Sequence, residues 1–91
     1  MKLKGTAKGP VHVPQADRAY FDCVMGDKNY PLFVDQNHSV GRAKEILQSQ
    51  FRIKSISQIT TVTDYPLESD AIIKNLFELG ILINGDVLNI L

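Results

Sequence analysis

The residues best suited to nucleophilic chemistry in this chain are one thiol and two imidazoles, Cys23, His12 and His38. A cysteine beside a histidine is the apparatus of thiol hydrolases and acyl-transfer enzymes, in which the imidazole takes the thiol proton. The surroundings of Cys23 argue against it. In "YFDCVM" the pattern puts Phe21, Cys23 and Met25 on one side of a strand and Tyr20, Asp22 and Val24 on the other. Cys23 then points into a core, where a thiol behaves as a small, inert hydrophobe. His38 directly precedes a helix cap and reads as a solvated loop residue. No two carboxylates share a predicted face, and no glycine-rich loop follows a strand in the manner of a phosphate cradle. The chain reads as a non-enzyme. Its single cysteine permits no intrachain disulfide and leaves no Cys/His cluster at metal-ligand spacing, so neither a metal nor another cofactor is expected.

Ninety-one residues, 44% hydrophobic and 22% charged, suit one small globular domain. The lone cysteine fits a reducing compartment, cytoplasmic or nuclear. No apolar run reaches the ~18 residues that span a bilayer, and "MKLKGTAKG" lacks the apolar stretch of a secretion signal, so no membrane is expected. A net charge of zero conceals a gradient: residues 1–16 hold three lysines and no acid, whereas 64–91 hold five acids and one lysine. A wholly basic nucleic-acid footprint is missing. Lys2, Lys4 and Lys8 read as a solvated arm, and nucleic acid is not an expected partner.

Stepping along the chain, residues 1–18 carry prolines, glycines and dispersed lysines with no period and read as a basic linker; residues 19–91 read as the domain. "YFDCVM", the turn Gly26-Asp27-Lys28-Asn29 and "YPLFVD" form a β-hairpin. Leu32 and Val34 point inward and Phe33 outward. Pro31, lacking an N–H, demands a sheet edge or an outward-facing amide position. Ser39 caps "VGRAKEILQSQF", an amphipathic helix with Val40, Ala43, Leu47 and Phe51 on its apolar stripe. Gly41 weakens its first turn. "SQITTVT" reads as a third strand, with Ile59 and Thr61 on one face and Thr60 and Val62 on the other. "DYPLES" reads as a turn in which an aromatic before Pro66 favours a cis peptide. Ser69 or Asp70 then caps a short helix with Ile72, Leu76 and Leu79 in one stripe, and Gly80 ends it in a left-handed conformation with Ile81 packing back. "VLNIL" closes the chain with Leu88 and Ile90 inward and Asn89 and Leu91 outward. This order, ββαβ, short helix, β, is an α+β arrangement with a helix across a mixed sheet.

The hairpin, the "SVGRAKEIL" helix, the "ITTV" strand and the closing "LGILINGDVLNIL" resemble a ubiquitin-like β-grasp domain over residues ~19–91. "MKLKGTAKG", "PQADRAYFDCVM" and "PLFVDQNHSVGRAKEI" further resemble the C-terminal ubiquitin-like region of the arsenite-response AN-type zinc-finger proteins. That resemblance implies an adaptor for the valosin-containing AAA unfoldase and the 26S proteasome in protein quality control and stress response. The zinc-ligating cysteines are not in this sequence, so Met1 would be an internal residue of a longer protein. "TTVTDYPLES" also looks like the loop of UBX domains, which place an aromatic-Pro-Arg tip on the unfoldase's N-terminal domain. Tyr65 and Pro66 match; Leu67 stands where the arginine belongs.

In a ubiquitin-like domain, conjugation or sulfur carriage needs a C-terminal glycine, and Asn89-Ile90-Leu91 does not supply one. A modifier or sulfur carrier whose Gly-Gly tail lies beyond Leu91 is the alternative, as is a UBX-like domain. The preferred expectation is a monomeric, non-conjugatable adaptor that is read through its surface. The expected contacts are Thr60, Val62, Tyr65, Pro66 and Leu91, with Phe33 either a further anchor or covered by the 1–18 arm, and Tyr65 either presented or tucked over the short helix. A charge at Thr60 is expected to weaken binding and leave the domain folded.

Overall fold

The computed structural model describes residues 17–91. The basic lead-in with Lys2, Lys4 and Lys8, and His12, lie outside the described residues. Two eight-residue strands, β1 (Arg18–Met25) and β2 (Lys28–Asp35), pair antiparallel and close on Met25 opposite Lys28. The turn is therefore Gly26-Asp27 alone, two residues shorter than the sequence suggests. Gly26, at φ +65°, adopts the positive φ that a two-residue hairpin needs to match strand twist. Counting from the closing pair, hydrogen-bonded and non-bonded pairs alternate, so Asp22 opposite Pro31 is a non-bonded pair. The Asp22 N–H indeed turns the other way, donating to the Asp86 carbonyl at 3.0 Å. Pro31 thus faces the open edge, and its missing N–H costs the ladder nothing.

The sheet order is β2-β1-β5-β3-β4. The last strand, β5 (Val87–Ile90), lies at its centre, parallel to β1 and antiparallel to β3 (Ile59–Thr61). One face of the sheet carries Phe21, Cys23, Leu32, Val34, Ile59, Leu88 and Ile90, all at most 4% exposed, in one core with Val40, Ala43 and Leu47 of the helix α1 (Val40–Phe51). The Ser39 Oγ accepts the Arg42 N–H at 3.1 Å, the local cap foreseen from sequence. Gly41 also has a packing reason. Its N–H donates to the Ser69 carbonyl at 2.7 Å, and a Cβ there would sit 3.0 Å from that oxygen.

Three local expectations are corrected. "DYPLES" is not only a turn: Pro66-Leu67 forms a short edge strand, β4, antiparallel to β3, and buries Leu67 in the core. No cis peptide occurs among the described residues. The second helix, α2 (Ile73–Glu78), starts at a cap residue, Ile72, with no side-chain cap. Its leading N–H groups are taken by the chain before α1: Ile73 N–H by the His38 carbonyl (3.0 Å) and Lys74 N–H by the Gln36 carbonyl (2.7 Å). With distant carbonyls filling the role of Ser69 or Asp70, the helix rotates to bury Ile73 and Leu76, and Leu79 is left 72% exposed. Gly80, at φ +75°, ends it as expected, with the Ile81 and Leu82 N–H groups folding back on the Leu76 carbonyl.

Candidate protein-binding surface

The surface expected to bind is built on the β3–β4 turn, and one threonine organises it. Thr61 is buried at the end of β3; its N–H donates to the Tyr65 carbonyl (3.0 Å), and its own carbonyl accepts the Asp64 N–H (3.0 Å). Its Oγ1 accepts the Tyr65 N–H at 3.2 Å and pairs with the Thr63 hydroxyl at 3.0 Å. Asp64 takes the left-handed conformation, φ +67°, that closes so short a loop. The turn then presents Val62 and Tyr65 to solvent, 61% and 51% exposed, with Pro66 exposed beside them.

Opposite this turn the α2–β5 connection forms a second wall. Gly80 and Ile81 are held by the helix termination, and Asp86 Oδ2 accepts the Ile83 N–H at 2.9 Å, closing the turn into β5. Between the walls lies an open cleft of about 370 Å³ lined by Thr61, Val62, Thr63, Tyr65, Gly80, Ile81, Asp86 and Val87. Ile81, Asp86 and Val87 were not among the residues singled out from sequence. Alternation back from Leu88 places Val87 outward, but nothing local brings residue 81 or 86 next to residue 65.

The remaining expected contacts divide. Thr60 is corrected: it is 4% exposed and not available to a partner. It lies in register between Asn89 of β5 and Pro66 of β4, so larger side chains flank it on both sides, and its hydroxyl donates to the Thr61 carbonyl (3.0 Å). Leu91 is exposed but sits past the far end of β5 from Val87, roughly 13 Å along the strand at ~3.3 Å per residue. Phe33 is exposed on β2, directly opposite Tyr20, with ring centroids 4.9 Å apart. The parallel pairing of Asp22 with Val87 puts this aromatic pair at the cleft's end of the sheet.

Cys23 is fully buried between β2 and β5, and its thiol is pushed up to about 12 by burial, with the neighbouring Asp22 charge acting in the same direction. A thiol so placed holds its proton at neutral pH. His38 is exposed. No group of three or more His, Cys, Asp or Glu side chains among the described residues is arranged to hold a metal ion.

No protein-family model and no curated protein matches the sequence. Solved structures do match. The chain is similar to an N-terminal ubiquitin-like domain solved in solution, with TM-score 0.68 and 14% identity over 98% of this chain and 88% of that one. It is similar to a protein designed on the basis of ubiquitin, with TM-score 0.64 and 14% identity, covering 91% and 90% of the two chains. A ubiquitin-like domain from Arabidopsis thaliana matches with TM-score 0.57 and 14% identity, covering 92% and 90%. The fold is ubiquitin-like: a mixed five-stranded sheet, one main helix and a short second helix.

Proposed function

We propose that this chain is a non-enzymatic, ubiquitin-like adaptor domain of a zinc-finger protein, recruiting the valosin-containing AAA unfoldase, the 26S proteasome or both in stress-linked protein quality control. Its place of action is the cytoplasm or nucleus. The observation that supports this reading best is the β3–β4 turn, which holds Tyr65 and Val62 outward through Thr61 while the one thiol is sealed in the core. An exposed aromatic on a well-braced turn is the usual form of an interface anchor. The zinc-finger context and the unfoldase come from the sequence resemblance and not from the fold. The contact set is Val62, Tyr65 and Pro66, without Thr60.

The test is an NMR titration of the isotope-labelled chain with the unfoldase's N-terminal domain, following the amides of residues 57–67 and 86–91. Shifts confined to those amides, weakened by Tyr65→Ala in a domain that keeps its dispersed spectrum, are the expected result. A folded domain that shows no shifts at high micromolar partner would remove the unfoldase from this reading.

A further inference from the structure

The cleft beside Tyr65 has a charge and a shape that specify more than a generic apolar contact. Its lining combines the aliphatic residues Val62, Ile81 and Val87 with the aromatic Tyr65 and the acidic Asp86. Asp64 lies between the lining residues Thr63 and Tyr65 and is exposed. None of the lining residues is basic. Both walls are braced by their own backbone bonds, so the cleft exists before anything enters it.

Aliphatic, aromatic and acidic lining residues together match one kind of side chain, a long apolar stem ending in a cation. We propose that this cleft receives an arginine from an extended segment of a partner protein, its stem against Val62 and Val87 and its guanidinium at the Tyr65 ring and the Asp86 carboxylate. Arginine suits it better than lysine, because a planar guanidinium stacks on the ring while its N–H groups reach the carboxylate. The proposal rests on the reading of this turn as a protein-binding surface, but not on which protein binds.

The probe is a set of acetylated, amidated pentapeptides, Ala-Leu-Arg-Leu-Ala and versions with Lys, Leu or Glu in place of Arg, titrated into the isotope-labelled full chain. The arginine peptide is expected to shift the amides of residues 61–65, 80–81 and 86–87, with lysine weaker and glutamate inert. Asp86→Asn keeps an acceptor for the Ile83 N–H while removing the charge, and should weaken arginine-peptide binding roughly three- to tenfold, an effect that fades in high salt. Tyr65→Ala should weaken it by a similar factor. Equal binding of the arginine and leucine peptides, or no shift at these amides at millimolar peptide, would overturn the proposal. Peptide binding without unfoldase binding would count against the unfoldase alone; the converse would count against the arginine site alone.

Discussion

The two faces of the sheet obey different rules. On the inner face, strand alternation under the cover of α1 accounts for most of the burial: Phe21, Cys23, Leu32, Val34, Leu88 and Ile90 are all inside, and only towards the hairpin turn do Met25 and Tyr30, of the same parity, stay half-buried. The outer face has no such cover, and there the neighbours decide. Thr60 and Val62 share its parity, yet Thr60 is 4% exposed and Val62 61%. Thr60 has a strand on each side, whereas Val62 lies past the end of β3 in a turn. On an open face, burial is a matter of position in the strand order, and a partner can reach only what the sheet's interior does not shade.

The comparison can be broken at several strengths. Phe21→Ala, which empties an inner-face site against Phe77, should cost about 3–5 kcal/mol, read as a lower urea midpoint. A loss below about 1 kcal/mol would mean the inner face is not the packed core described above. The buried thiol gives a pH signature confined to the alkaline range. Burial holds its folded pKa at about 12, above the ordinary 9.0, so the unfolded chain loses the proton first, and stability is intact below pH 9 and falls as pH rises through 9 towards 12. The slope approaches ~1.4 kcal/mol per pH unit. Cys23→Ala should flatten that segment of the profile, and an unchanged alkaline slope would refute the assignment. On the outer face, Thr60→Asp should cost about 1–3 kcal/mol because a carboxylate is forced between β5 and β4, where the sequence-based expectation was an effect on binding and not on the fold. Val62→Asp, of the same parity, should move stability by no more than about 0.5 kcal/mol while abolishing partner shifts at the turn. Equal costs for the two would erase the distinction between strand and turn. The smallest pair concerns the helices: Ser39→Ala should cost about 1 kcal/mol through the lost α1 cap, and Asp70→Ala close to nothing. A comparable loss at Asp70 would restore it as a cap of α2.

That last pair shows why one helix could be read from sequence and the other only in part. Ser39 sits three residues from the N–H it accepts, so the cap of α1 is written locally. The start of α2 depends on carbonyls at positions 36 and 38, more than thirty residues earlier, and no local pattern encodes them. The same holds for the candidate site. Val62 could be identified as outward by strand alternation, and Tyr65 and Pro66 as turn residues, though whether Tyr65 is presented or tucked over the short helix was open until the Thr61 bonds fixed the turn. The opposite wall could not, since Gly80, Ile81 and Asp86 meet that turn only through the placement of β5 beside β3.

What the sequence determined by itself has a short-range cause: the alternating hairpin, the sealed thiol, the capped amphipathic helix and the glycine that ends α2. Tertiary structure decided the register of α2, the strand made from Pro66-Leu67, the shading of Thr60 and the cleft. The α2 register depends on carbonyls more than thirty residues away, the shading of Thr60 on β4 and β5 together, and the cleft on β5 lying beside β3; side-chain periodicity carries no information about which segments become neighbours.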